Sequence, residues 1–393
     1  MSTSQLQYIE ISTAKQPFKF ADGKSMHPVV LAYETYGKLN EKKDNAILLF
    51  HALSGSAHAA GVDPVGPGNA YWTDECHVGW WNDYLGTGRG IDTEKYFIIC
   101  INWVGGCYGS TGPSSINPDT GKPYGGEFPF MTMQDIVNSQ VKVLDKFGIN
   151  KLLAVIGSSL GGLCVMDFAT RFADRVSLVI PIATGVRSTV LTKAMNFEQI
   201  CAIQDDSNFR DGDYYDHAPP NSGLTLARMI SHKTFVSLPL MESRARKEIV
   251  QPNDRINGYK LKHQVESYLL HQGRKFVKRF DANSYLRIAA AWSAFDLPKQ
   301  QGRSLERILS RCTHQTWLLF SILSDVCFYP DEQLEIADAL KANGIDYQHI
   351  RVDSEKGHDS FLIEPNLYCP YISFKLDSVY SLRKRSLPHG YDI

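Results

Sequence analysis

The apolar run at residues 152–156 passes straight into Gly157-Ser158-Ser159-Leu160-Gly161-Gly162 and then into a helical pattern at 163–172, and this junction restricts the possible folds more than any other stretch. A serine on a sharp strand-to-helix turn needs small neighbours two residues away on either side, where a Cβ would strike the adjoining strand and helix. Gly157 and Gly161 meet that need for Ser159. Ser158 is adjacent, but only Ser159 has glycine at both −2 and +2, which makes Ser159 the candidate nucleophile. The helix that follows points its N-terminal dipole and free N–H groups at the same spot, favouring negative charge there. A tight Gly/Ser loop or a phosphate nest reads the same in isolation, so the rest of the chain has to decide.

Short apolar, β-rich runs recur at 46–50, 96–101, 152–156, 177–182, 316–322 and 347–352. Their hydrophobicity is continuous rather than alternating, as in strands buried on both faces of a largely parallel sheet. Between the second and third runs, Thr132 and Asp135 match a capping box, and Met133, Val137, Val141, Leu144 and Phe147 share one helical face. Gly148 follows as a C-terminal stop. That is one βαβ crossover. From 185 to about 311 the strand-like runs vanish and helical periodicity mixes with polar, aromatic and basic residues. The α/β pattern resumes at Thr316. The expected organisation is a core of residues 1–184 and 312–393 interrupted by a helical insertion at 185–311.

Composition serves mainly to exclude. A chain of 393 residues with 43% hydrophobic and 21% charged residues can bury a large core. Its formal net charge of −1 lacks the basic excess of a nucleic-acid binder. The eight cysteines form no CxxC pair and no zinc-like spacing, and the histidines no HExxH, so free thiols and no metal site are expected. Gly86-Thr87-Gly88-Arg89-Gly90 mimics a dinucleotide loop, but no strand leads into it. The first residues show no secretory pattern and no apolar run nears the roughly 18 residues of a membrane span. The expectation is a cytoplasmic protein with no membrane partner.

A serine hydroxyl needs a histidine base oriented by a carboxylate, and the strand-turn-helix elbow belongs to the α/β-hydrolase fold, where the chain order is Ser, Asp, His. Asp325 follows the run 316–322, and His358 follows the run 347–352. Each stands just past a strand end, as the chemistry requires. His51 to Gly55 ends the run 46–50, where this fold supplies an oxyanion donor, so the backbone N–H groups of Leu53 and Leu160 are the candidate oxyanion hole.

Several longer segments resemble the homoserine O-acyltransferase family: His51 to Gly55, Gly79 to Asp92 (GWWNDYLGTGRGID), Gly105 to Pro118, the elbow, Gly223 to Ile230 (GLTLARMI), Arg279 to Leu286 (RFDANSYL) and Gly357 to Leu362 (GHDSFL). The resemblance implies an α/β-hydrolase fold, with a mostly parallel central sheet, helices on both faces and a helical lid. It implies a homodimer through that lid, and a ping-pong transfer from acetyl-CoA or another acyl-CoA to L-homoserine, with no permanently bound cofactor. It matches Ser159, Asp325 and His358 to the triad, Arg228 to a substrate-binding arginine and Asp359 to the aspartate that holds the acceptor's amino group. The chain departs from the family where the elbow reads GSSLGG rather than GGSMGG, where Thr234-Phe235-Val236-Ser237 replaces T-Y-R-S, and at the bulky Ala289 to Asp296. The choice of acetyl or succinyl donor, and of homoserine or serine acceptor, stays open, as do a serine esterase using water and a catalytically silent binding protein of the same fold.

Overall fold

The structure, a computed structural model, describes residues 5–245, 255–256 and 258–385. Residues 246–254 and 257 of the expected insertion, and 1–4 and 386–393 of the expected core, lie outside the described residues. Eight strands, β1 (Gln7–Glu10), β2 (Val30–Tyr36), β3 (Ala46–Phe50), β4 (Phe97–Ile101), β5 (Leu152–Ser158), β6 (Val176–Ile182), β7 (Thr316–Ile322) and β8 (Asp346–Val352), make one sheet in the order β1-β2-β4-β3-β5-β6-β7-β8. β2 runs antiparallel to both neighbours, and all other pairs are parallel.

Every residue of β3, β4 and β5 is buried, which is why those runs read as unbroken apolar stretches. The sheet separates two cores by the period of two along each strand. Leu48, Ile99, Val155 and Val179 face one core, with the helices Met133–Phe147 and Leu160–Arg171. Ile47, Ile98, Ile156 and Ile180 face the other, with the helix Cys369–Arg385. The capping box forms as the sequence indicates: Thr132 Oγ1 accepts the Asp135 N–H at 3.2 Å, and Asp135 Oδ2 accepts the Thr132 N–H at 2.8 Å. Gly148, at φ 66°, ends the helix. The two antiparallel strands β1 and β2 had no sequence signal, because β1 is largely exposed and β2 carries Glu34 within it.

Between β6 and β7 the described residues hold seven helices and a short ribbon. This block has a narrow neck, where Ser188 N–H donates to Phe295 O and Leu297 N–H to Val186 O, both at 2.9 Å. After Leu297 the chain is already back on the sheet domain. Gln301 donates to Thr170 Oγ1 at 3.0 Å, and Asn343 to Glu306 O at 2.9 Å. Helical periodicity reports that one face is buried and not what it is buried against, so the sequence pattern set this return later, near 311. Asp281 ties the block to the sheet domain. Its carboxylate accepts hydroxyls from Tyr71, Tyr214 and Tyr215 at 3.1, 2.6 and 3.1 Å, and caps the helix Ala282–Ala294 through the Ser284 N–H at 2.8 Å. No described helix is long and apolar enough to cross a membrane.

Candidate active site

In strand register, Ser158 pairs with Ile182, Ile182 with Phe320 and Phe320 with Ile350. The residues that follow β5, β7 and β8 therefore emerge along one edge of the sheet, the carboxyl edge where ligands bind in such folds. Ser159, Asp325 and His358 all stand on that edge.

Ser159 has φ 57° and ψ −126°, a strained conformation for a residue with a Cβ. It is held by its N–H to Ile182 O and by Thr184 Oγ1 to its own carbonyl, both at 2.9 Å. The spacing of glycines now has its reason. A Cβ on Gly157 would lie 2.5 Å from Gly161 O, and one on Gly161 would lie 2.4 Å from Phe50 O. Ser158 is fully buried in the strand and its Oγ has no hydrogen-bond partner among the described residues. The turn therefore presents Ser159 and not its neighbour.

Asp325 is buried and fully engaged. Oδ1 accepts the N–H groups of Cys327 and Phe328 at 2.7 and 3.0 Å, and Oδ2 lies 2.6 Å from His358 Nδ1. A carboxylate so held accepts only, so Nδ1 carries the proton and the neutral tautomer leaves a lone pair on Nε2. That Nε2 is buried and has no partner among the described residues. Burial opposes charge on His358, but the charge and hydrogen bond of Asp325, with Asp359 and Glu332 adding to them, outweigh it and move its pKa upward. Phe328 stacks on the ring at 5.6 Å and Phe361 meets it edge-on at 5.1 Å. The structure thus joins Asp325 to His358. It brings Ser159 to the same edge without a hydrogen bond to His358.

Leu53 and Leu160 are buried, and neither backbone N–H is taken by another protein group among the described residues. The Leu53 turn begins at His51, whose ring stacks on Trp103 at 4.5 Å and whose Nδ1 lies 2.8 Å from Ala52 O. Burial lowers the His51 pKa to about 4, so the ring is neutral and Nδ1–H is the donor.

Arg228 and Asp359 come from the helical block and from the residue after His358. The Arg228 guanidinium lies between the rings of Phe235 and Phe276, 4.8 and 4.7 Å from their centroids, and makes no ion pair or hydrogen bond among the described residues. Burial, with Arg279 nearby, lowers its pKa to about 10, while Tyr285 and Asp359 pull the other way. Burial raises the Asp359 pKa against the opposing charges of His358, Arg228 and Arg244. The two sense each other's charge, with no ion pair or hydrogen bond between them among the described residues. Sequence reasoning missed the aromatic clamp on Arg228, although Phe235 lies in the stretch marked as a departure. The bulky stretch after RFDANSYL also reaches this site: Trp292 stacks on Phe328, the ring that covers His358, at 5.8 Å.

Beside the Leu53 turn lies a cavity of about 210 Å³ lined by Ala52, Ser54, His58, Glu75, Arg279 and Leu362. Arg279 donates to Ser54 O at 3.2 Å, and Lys275 pairs with Glu75 at 2.9 Å across its rim.

Strained serine, buried Asp-His pair and parallel-sheet edge define an α/β hydrolase, and the family model for the alpha/beta hydrolase fold matches residues 45–365. The homoserine O-acetyltransferase of Deferribacter desulfuricans is 42% identical over 371 residues, covering 94% of this chain and 95% of the relative. The chain belongs to the homoserine O-acetyltransferase family. Among solved structures, the homoserine O-acetyltransferase from Bacillus anthracis superposes with a TM-score of 0.83 at 26% identity, over 96% of this chain and 98% of the other. Esterase E22 superposes equally well, with a TM-score of 0.83 at 27% identity over 95% and 100%.

Proposed function

We propose that this enzyme moves an acetyl group from acetyl-CoA to the side-chain hydroxyl of L-homoserine through an acyl-enzyme on Ser159, a step of methionine biosynthesis. The observation that carries the reading is the buried His358 Nε2, left as the lone-pair nitrogen of the neutral tautomer because Asp325 holds the proton on Nδ1, without a partner among the described residues and on the same sheet edge as the strained Ser159. His358 takes the Ser159 proton as Oγ attacks the thioester carbon, and the Leu53 and Leu160 N–H groups receive the oxyanion. The C–S bond then breaks and the thiol leaves with the proton from His358. The acceptor hydroxyl repeats the attack on the ester, again with His358 as base, and Ser159 regains its proton. Asp325 stabilises the imidazolium in both halves. Hydrogen bonds between nucleophile and base are often long without substrate, which accords with the missing Ser159 contact.

The acceptor is a zwitterion with a hydroxyl, and Arg228 and Asp359 supply one cation for its carboxylate and one anion for its ammonium. Lys275 and Arg279 at the cavity beside Leu53 support a phosphate-bearing donor. The helical block acts as a lid that keeps water from the acyl-enzyme. Val190, Leu191, Phe197 and Leu226 are exposed on it, which supports a homodimer formed through the block.

The test is thiol release from acetyl-CoA with homoserine present. Wild type turns over and Ser159→Ala does not; equal turnover in the two refutes the reading. The likeness to esterase E22 favours one rival, hydrolysis by the same serine, and it predicts thiol release at the same rate with homoserine left out.

A further inference from the structure

A second histidine-carboxylate pair lies beneath the loop that carries Leu53. Glu34, midway along β2, is 0% exposed, and His58 is 2% exposed. His58 Nδ1 is 3.1 Å from both Glu34 oxygens, and Nε2 is 3.1 Å from the carbonyl oxygen of His77. A carbonyl only accepts, so Nε2 carries a proton. Nδ1 faces a carboxylate, so a further proton sits between Nδ1 and Glu34. Tyr36 completes the network: its hydroxyl donates to Glu34 Oε2 at 2.8 Å and accepts the N–H groups of Ala59 and Ala60 at 2.7 and 3.2 Å. Upstream, the Ala57 N–H donates to Asn102 Oδ1 at 2.6 Å and Trp80 Nε1 donates to Ser56 O at 2.9 Å. The loop is thus clamped at this end by directed bonds and at the other by the His51 stack, with the free Leu53 N–H between the clamps.

Burying such a pair costs desolvation of both groups, and apolar residues of the same volume often give equal or greater stability. What the polar set adds is direction, because each atom has one place to point. Burial lowers the His58 pKa, but the hydrogen bond and charge of Glu34 outweigh that, with the His77 carbonyl and Asp63 adding to them, and the net shift is upward. Tyr36 and Cys100 are further titratable groups that feel the Glu34 charge.

We propose that Glu34, His58 and Tyr36 are positioning residues that hold the 51–60 loop so that the Leu53 N–H stays aimed at the forming oxyanion. This rests on the reading that Ser159 is acylated and Leu53 is an oxyanion donor.

The test uses the full chain with Glu34→Gln, with Glu34→Gln/His58→Asn, and with Tyr36→Phe as the mildest cut. Three quantities are measured: kcat, the homoserine KM, and the Ki of a boronic acid that forms an anionic tetrahedral adduct on a reactive serine. Loss of an oxyanion donor costs about 100- to 1,000-fold in kcat, and a misplaced one should cost about 10- to 100-fold. The expected result in Glu34→Gln is that fall in kcat, a matching rise in the boronate Ki, a KM within about threefold, and end-point phosphonate labelling of Ser159 intact. The double variant should recover part of the loss, since no charge is left unpaired. Folded variants whose boronate Ki matches wild type overturn the inference, whatever happens to kcat. Should Glu34→Gln fail to fold, Tyr36→Phe decides by the same Ki, with a rise of about threefold or more expected. Failure of the underlying reading would show elsewhere, as a Ser159→Ala protein that still turns over and a wild type that phosphonate leaves unlabelled.

Discussion

Among the described residues two histidine-carboxylate pairs are buried, Asp325-His358 beyond β7 and β8, and Glu34-His58 on the other side of the elbow. Both set Nδ1 against a carboxylate, at 2.6 and 3.1 Å, and both imidazoles titrate above their ordinary value. They part at Nε2. In His58 it is spent on a backbone carbonyl, whereas in His358 it has no partner among the described residues. Each pair sets a carboxylate against an imidazole, and all four residues are buried. The second ring nitrogen decides whether a pair can move a proton or only hold a chain in place.

Variants that break one pair and spare the other sharpen this contrast. The largest effect is expected where the free Nε2 is deprived of its nucleophile: Ser159→Ala should lower kcat by about 10,000-fold or more while leaving thermal unfolding nearly unchanged, as read by thiol release and calorimetry. Asp325→Asn should cost about 1,000- to 10,000-fold by disturbing the tautomer. It should also move the acid limb. The raised His358 pKa means that Nε2 is a free base only above that value, so wild-type kcat should fall as pH drops through a point above the usual ~6.5 of histidine, and removing the Asp325 charge should shift that limb to lower pH. Arg228→Ala belongs to neither pair and should raise the homoserine KM by about 10- to 100-fold, with acylation of Ser159 by the donor alone unaffected in single-turnover experiments.

The Glu34-His58 pair should show itself in stability rather than in proton transfer. A raised histidine pKa in the folded state means its contribution is complete below the unfolded value and is lost as pH rises through the folded one. The Tm difference between wild type and Glu34→Gln/His58→Asn should therefore shrink at alkaline pH. The smallest effect is expected from Thr132→Ala, which touches neither pair. It should cost about 1 kcal/mol of stability through its cap, with kcat unchanged.

How much of this was legible beforehand differed by kind of interaction. The inner strands β3 to β7 could be read because strands buried on both faces must be apolar throughout, and the helix Met133–Phe147 because its caps are local. The elbow was legible because its glycines answer to atoms within four residues and to the neighbouring strand. Strands β1 and β2 were not, since one is largely exposed and the other hides a glutamate whose partner is 24 residues away. The return of the chain to the sheet at Leu297 was also hidden, because periodicity does not name the packing partner.

The chain's own order of residues determined the parallel sheet, the strained turn at Ser159 and the candidacy of Asp325 and His358, all of which follow from local chemistry and from placement just beyond a strand. Only the tertiary structure decided that a carboxylate-held histidine, His358, keeps its other nitrogen without a partner among the described residues, that Arg228 lies between two rings, and that Glu34 is locked beneath the Leu53 loop. Those depend on groups brought together from distant parts of the chain, and hydrogen-bond saturation is a property of the assembled interior that no sequence interval records.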